Sequence, residues 1–245
     1  EHGLLFGPDT STTNRCMIGG MIGNNSTGSF SIKHGSTREH VLEVEAVLSD
    51  GSTAVFGPLT SDELEAKKQL DSLEGRIYRG MLELIEEHSD TILEAYPHPE
   101  IIRRNTGYAL DKLCTMQPFD PDGRPFNLAE LLCGSEGTLA MTASAKIRLV
   151  PRDSERVLLI PQFDSLREAL EATVDVVQYD PAAAELIDDI VLGATKDNIE
   201  QRKNRFFLEG EPRSVLIIQF EGNDKEALIE RAEKLRDRLQ QNKKG

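Results

Sequence analysis

Residues 17–35 hold the densest concentration of groups that could do chemistry: Met-Ile-Gly-Gly-Met-Ile-Gly-Asn-Asn-Ser-Thr-Gly-Ser-Phe-Ser-Ile-Lys-His-Gly. Gly19, Gly20, Gly23, Gly28 and Gly35 fall among small residues, with Phe30 the one aromatic. Each glycine costs a helix about 1 kcal/mol relative to alanine, so the run is not expected to make a good helix. Glycine does let bare backbone amides come close to a ligand, which a Cβ would block. An anion or a phosphorylated cofactor is the ligand class such a backbone serves. A Gly/Ser-rich surface loop is the competing reading, and spacing alone does not separate the two. A further glycine element, Gly134-Ser135-Glu136-Gly137-Thr138-Leu139, lies far downstream. None of these is a P-loop, because no Gly-Lys-Ser/Thr follows, and none sets Gly-x-Gly-x-x-Gly between a strand and a helix. A classical nicotinamide-binding fold is therefore not expected.

The elements that must position these residues come in two styles. Up to about Pro151 the chain is punctuated by glycine and reads as short strands. In His40–Leu48, Leu42, Val44, Ala46 and Leu48 alternate on one face, Ser49-Asp50-Gly51 supplies a turn, and Ser52–Phe56 is the returning strand. Arg76–His88 carries Ile77, Met81, Leu84 and Ile85 at helical spacing. Asp120–Pro125 reads as a loop, and Gly137–Val150 as a buried strand. After Pro151, Val157–Phe163 is predicted as a strand, and Ser165-Leu166-Arg167-Glu168 opens a helix through Val177. Pro181–Gly193 is expected to be a second helix with Leu186, Ile187, Ile190 and Val191 on its apolar face. Val215–Phe220 reads as a strand. A helix from Lys225 to Gln240 follows, with Leu228, Ile229, Ala232, Leu235 and Leu239 as its buried stripe. That succession is an α+β layer.

Composition limits the partners. The chain has 245 residues, enough for one large domain or two ordinary ones, at roughly 100–200 residues each. Its net charge of −14 opposes non-specific attraction to nucleic acid or anionic membrane. Cys16, Cys114 and Cys133 are odd in number and far apart, which fits neither a disulfide scaffold nor a closed metal site and suggests a reducing compartment. No apolar run approaches the ~20 residues that span a bilayer. The chain opens on Glu1-His2-Gly3 rather than Met, and so reads as an excerpt of a longer protein.

Taken together, several motifs resemble one flavoprotein superfamily. Phe6-Gly7-Pro8-Asp9, Ile18-Gly19-Gly20-Met21-Ile22-Gly23-Asn24-Asn25, Gly28 and His34-Gly35 resemble the central FAD loop of the vanillyl-alcohol-oxidase (PCMH-type) superfamily. Val41–Gly51 is similar to the strand and turn after that loop. Arg104-Asn105-Thr106-Gly107-Tyr108-Ala109-Leu110 and Gly134–Leu139 match two later signatures in the right order. The match runs from Phe6 to Pro151, and within the superfamily it is nearest the D-2-hydroxyacid dehydrogenases of D-lactate, glycolate and D-2-hydroxyglutarate.

The resemblance implies roles residue by residue. Pro8, Asp9 and Thr13 match the segment beside the flavin and diphosphate. Gly19, Gly20, Gly23, Asn24, Asn25, Gly28 and Gly35 match the backbone cradle, and Glu136, Gly137 and Thr138 the strand entry that flanks the cofactor. An ordinary turn acid remains an alternative for Glu136. Of the adjacent Arg103 and Arg104, one at most would face a site, and Arg104 is taken as the clamp for a substrate carboxylate; a surface cation balancing an acidic protein is the alternative. Asn105 and Tyr108 accompany it. Cys16 and Cys133 are expected to pack as small apolar residues. His34 stands where the family commonly has an aromatic. Ala184-Glu185-Leu186-Ile187-Asp188-Asp189 is similar to a helix start in the family's cap domain, although Glu185 and Asp188 serve equally as first-turn acids. His88 and His98 are isolated, so catalytic residues are expected beyond residue 245, and no metal site is expected here. The family's first FAD subdomain normally precedes Phe6, so weak FAD binding, or none, is expected of this stretch alone.

The expectation is thus an α+β chain. Residues 1–151 would be the second subdomain of a PCMH-type FAD-binding domain, and residues 152–245 the start of an α+β cap (substrate) domain. The function implied is oxidation of a small D-2-hydroxy acid by hydride transfer to flavin N5. Electrons would pass to a quinone, a carrier or a downstream iron–sulfur domain. The location implied is cytoplasmic, or peripheral to the inner face of the membrane. A sister flavoenzyme with another alcohol substrate and a flavin-free interaction module are the rival readings.

Overall fold

The computed structural model describes residues 2–98, 100–101, 104 and 107–242. Contacts divide the chain into two compact units, Leu4–Val150 and a second beginning at Pro151.

In the first unit Val41–Val47 is the middle strand of three. Thr53–Phe56 pairs antiparallel on one edge, with Val47 opposite Thr53 and Val44 opposite Phe56, and Met141–Ile147 pairs on the other. The hairpin turn closes through Asp50, whose Oδ1 accepts from the Ser52 amide at 3.0 Å and the Ser52 hydroxyl at 2.6 Å. A register shift between Val41 and Glu43 breaks the alternation, so Val41 is buried and Leu42 only half-buried. A bulge re-aims side chains in this way. The long helix Leu73–Ala95 is capped by Ser72 and lays Tyr78, Ile85 and Ile92, seven residues apart, against the core. The Tyr78 ring lies between Phe56 and Phe126, at centroid distances of 6.0 and 6.5 Å.

The second unit is built on Ser214–Gly222. Glu155–Leu159, Gln162–Phe163 and Ala183–Asp188 all pair antiparallel with it. Helices Leu166–Val176 and Lys225–Gln241 contribute Ala169, Ala172, Val176, Leu228, Leu235 and Leu239 to a core with Leu216, Ile218 and Phe220. The Ser165 hydroxyl accepts from the Glu168 amide at 3.2 Å and so starts the first helix where the capping pattern predicts it.

Five expectations are corrected. Residues 181–193 are not one helix: Ala183–Asp188 is a strand running against Ser214–Gln219, and only Asp189–Ala194 is helical. Its apolar spacing suits either element, and pairing with a buried strand decides in favour of the sheet. Ile190 and Val191 are consequently exposed, and Glu185 lies in the strand, while Asp188 caps the helix by accepting from Val191 N at 2.9 Å. Met141–Ile147 is a strand at the edge of the sheet but not a buried one, with Met141 65% exposed. The predicted strand Val157–Phe163 is two strands, and Ile229 sits at the rim of its helix, half-exposed. The fifth correction concerns the glycine run.

Candidate functional site

Residues 18–24 form a helix despite three glycines. Met21 and Ile22 are buried, and this tertiary anchoring outweighs the propensity of the glycines. Asn25 ends the helix in the left-handed region (φ 46°, ψ 53°), its amide bonded to Ile22 O and the Ser26 amide to Met21 O. Asparagine is second to glycine in this terminating role. The freed carbonyls at this end meet the downstream motif. Gly134 N donates to Ile22 O and Glu136 N to Gly23 O, both at 2.9 Å. The two glycine elements, far apart in sequence, are thereby joined backbone to backbone.

Asn25 is the centre of the arrangement. Its side chain is fully buried, and Oδ1 accepts from the Ser36 hydroxyl at 3.0 Å and the Arg38 amide at 2.8 Å. The Thr37 amide and hydroxyl both bond to Ser26 O, at 3.0 and 2.8 Å. Gly35, at φ +79°, makes the turn that brings Ser36 and Arg38 back to Asn25.

The candidate glycines fall into two groups. Gly28 answers to the chain itself: a Cβ there would sit 1.6 Å from Asp9 O, so the backbone at Asp9–Thr10 crosses directly over it. Gly23 is less tightly held, with Glu136 Cα 3.7 Å from the Cβ position. Gly19, Gly20 and Gly137 have nothing of the protein within 4 Å of theirs. Open space is common to exposed glycines such as Gly51. These three differ in lying on the two elements joined next to Asn25, whose Nδ2 is buried without a partner. A bare backbone surface beside an orphaned buried donor fits a cofactor such as FAD.

The remaining candidates are engaged locally. The Thr13 hydroxyl lies 2.7 Å from both Asp9 Oδ1 and Thr10 O, and Pro8 is buried beside them. Cys16 Sγ lies 3.5 Å from Met21 Sδ, tying this segment to the helix. Asn24 is exposed and donates to the Ser26 hydroxyl. Thr138 hydrogen-bonds Ser135 O and, at 2.8 Å, the Tyr108 hydroxyl. Arg104 pairs with Asp111 and lies 5.6 Å over the Tyr96 ring. Arg103, Asn105 and Thr106 lie outside the described residues.

Sequence reasoning missed Arg38. It is 6% exposed, donating Nε to Glu130 O at 3.0 Å and Nη2 to Cys133 O. It thus braces the turn before Gly134, and nothing in Thr-Arg-Glu-His marks it out. His40 was missed too: buried, with its ring nitrogens 2.8 Å from His34 O and 3.1 Å from Arg148 O. Gly7 leaves it room, since a Cβ there would sit 2.7 Å from His40 Cε1. Burial pushes the Cys133 thiol up to about 12, and burial with Asp111 raises Cys114, so neither is a ready nucleophile. Burial also raises the Glu130 carboxyl, against the opposing pull of its ion pair with Arg124. Among the described residues no cluster of three His, Cys, Asp or Glu could hold a metal, and no helix is long and apolar enough to cross a membrane.

Comparison with known proteins matches two families to parts of this chain. The FAD binding domain family matches residues 1–57, and the C-terminal domain of FAD linked oxidases matches residues 152–245. A D-2-hydroxyglutarate dehydrogenase of Pantoea ananatis is 32% identical over 226 residues, covering 91% of this chain and 21% of the relative. The D-2-hydroxyglutarate dehydrogenase of Escherichia coli K12 is 30% identical, over 97% of this chain and 23% of its own length. A D-lactate dehydrogenase of Archaeoglobus fulgidus is 26% identical over 73% of this chain and 27% of its own length. The chain therefore spans about a fifth of the first of these relatives. Among solved structures, an alkyldihydroxyacetonephosphate synthase superposes with a TM-score of 0.57 at 15% identity, over 98% of this chain and 35% of that one, a likeness of fold. The α+β chain with its joined glycine elements thus carries a match to an FAD binding domain before residue 58 and to the C-terminal domain of FAD linked oxidases after residue 151, and FAD is the cofactor of those domains.

Proposed function

We propose that the chain is part of an FAD-dependent dehydrogenase that oxidises a small D-2-hydroxy acid, of which D-2-hydroxyglutarate is the first to test. Relatives at about 30% identity named for that substrate support this reading. In it, the unit Leu4–Val150 is the second subdomain of the FAD-binding domain, and the cap domain begins at residue 152. The observation that carries it is the backbone junction of Gly23 with Glu136 and of Ile22 with Gly134.

Bound FAD would supply the redox chemistry, as acceptor of a hydride from the substrate Cα at flavin N5 and donor to a non-nicotinamide acceptor such as a quinone, a carrier or an iron–sulfur domain. What this chain's residues contribute is position. Gly19, Gly20 and Gly137 offer uncovered backbone to the cofactor, and the Gly23 carbonyl holds Glu136 N at the junction. Asn25 holds the helix end and presents its spare Nδ2 donor. Asn24, Glu136 and Thr138 flank the cofactor, and Pro8, Asp9 and Thr13 run alongside, their crossing fixed by Gly28. Gly35 returns the chain so that Arg38 braces the Gly134 turn. Arg104, expected from the sequence as the carboxylate clamp, is already paired with Asp111. The protein is placed in the cytoplasm or at the inner membrane face.

Flavin-fluorescence quenching on this chain and on the full-length protein tests the reading, followed by anaerobic bleaching with D-2-hydroxyglutarate, D-lactate and glycolate. Binding by the full-length protein with bleaching by one of these acids is the expected result. Absence of flavin binding in both proteins overturns it and leaves an interaction module. Flavin binding without bleaching by any of the acids overturns the substrate class.

A further inference from the structure

A cleft of about 250 Å³ opens in the first unit, lined by Arg38, Tyr96, Arg104, Gly107, Tyr108 and Asp111 among others. It is smaller than the pockets that take drug-sized ligands, so its occupant is a small molecule. Among the described residues lining it, two arginines face a single aspartate. Arg104 is spent on Asp111, an ion pair whose side chains are 15% and 11% exposed. Arg38 is left over: it is more than nine-tenths buried, yet its hydrogen bonds go to two neutral carbonyl oxygens, Glu130 O and Cys133 O. Glu130 acts on it electrostatically, but its carboxylate is held by Arg124 through both oxygens, and the neighbouring Glu39 carboxylate is hydrogen-bonded to Ser36. Among the described residues, then, Arg38 has no carboxylate of its own. Burying a guanidinium without a counter-charge is costly, and such a group marks a place for an anion. Asp111 Oδ1 is also buried with no hydrogen-bond partner, and as an acceptor it competes with an incoming anion for the arginines.

We infer that this cleft binds a small carboxylate and that Arg38 is its anchoring cation, with Arg104 held back by Asp111. A planar guanidinium matches a carboxylate through two parallel hydrogen bonds, which favours this over a spherical or tetrahedral anion. The inference rests on the proposed function only in identifying that carboxylate with the acid of the substrate; the charge argument stands without flavin. The cleft is also built to be sensed elsewhere. The Tyr108 hydroxyl bonds Thr138, Tyr96 donates to Tyr108 O at 2.5 Å, and Arg38 braces the turn before Gly134. An anion seated on Arg38 therefore touches the groups that hold the Gly134–Thr138 element.

The test is titration of the isotopically labelled 245-residue chain with oxalate, which cannot be oxidised as a hydroxy acid, following the Arg38 Nε–H and Tyr108 resonances. The expected result is saturable shifts at both. Arg38→Lys keeps the charge but loses the planar fork and should weaken binding about 10- to 100-fold, the range for a hydrogen bond to a charged group. Asp111→Asn removes the competing carboxylate and should tighten it, and it gives the answer if Arg38→Lys does not fold. Inorganic phosphate is titrated in parallel and should bind more weakly. Oxalate shifts unchanged by Arg38→Lys in a folded chain, weaker binding in Asp111→Asn, or phosphate binding as tight as oxalate each overturn the inference. Oxalate binding that depends on Arg38 in a protein whose flavin no hydroxy acid bleaches would sink the proposed function and leave the cleft standing. Bleaching with a KM untouched by both variants would do the reverse.

Discussion

Gly28→Ala and Gly19→Ala should act in opposite directions, although both replace a glycine of the same motif. At Gly28 the added methyl would lie 1.6 Å from Asp9 O and 2.3 Å from Asp9 C, and 2.9 Å from Thr10 N. These are backbone atoms, so no rotamer change relieves the clash and the two chain segments must part. Overpacking a well-packed site costs about 1–3 kcal/mol, and a clash with main chain belongs at the top of that range or above. For a unit of this size that is a fall in melting temperature of roughly 6–12 °C. At Gly19 the methyl meets nothing within 4 Å, and the residue is helical. Alanine there should add up to about 1 kcal/mol, a rise of roughly 2–4 °C. The gain should come at the expense of cofactor affinity, since the methyl occupies the surface assigned to FAD. Thermal unfolding by circular dichroism on this chain, with FAD titration of the full-length protein, reads both effects. A Gly28→Ala chain that melts with the parent refutes the crossing at Asp9. A Gly19→Ala protein that is stabilised and binds FAD as tightly as the parent refutes the cradle.

Other outcomes follow from the same geometry. Cys133, its thiol pushed up to about 12, should resist alkylation in the native chain at pH 8, where about one part in 10⁴ is thiolate, and react fully in denaturant; mass mapping of labelled cysteines checks this. Glu130 is raised by burial, so the folded chain keeps a proton that the unfolded chain has released, and stability should fall as pH rises above the ordinary carboxyl range. Glu130→Gln should flatten that fall in urea unfolding measured from pH 4 to 7. Ser165→Ala removes the hydroxyl that accepts from Glu168 N and should cost the second unit about 1 kcal/mol, read from the urea midpoint.

Local chemistry made some of this protein legible in its sequence, and distance hid the rest. The strand Val41–Val47, its turn at Ser49–Gly51 and the stripe of Lys225–Gln241 show in the sequence because alternation, turn residues and helical spacing are properties of neighbouring residues. The family motifs were visible for the same reason, each being a short run with its own composition. Tertiary structure alone decided where partners from elsewhere mattered. Ala183–Asp188 became a strand because Ser214–Gly222 offered an edge, and Met141–Ile147 pairs with Val41–Val47 without being buried. The glycines looked alike in sequence, yet Gly28 is fixed by Asp9 crossing above it while Gly19 and Gly20 face open space. Arg38 shows the limit most clearly. Its partners lie 92 and 95 residues away, so no window of sequence could show that a lone arginine in Thr-Arg-Glu-His is the buried brace of the downstream glycine turn.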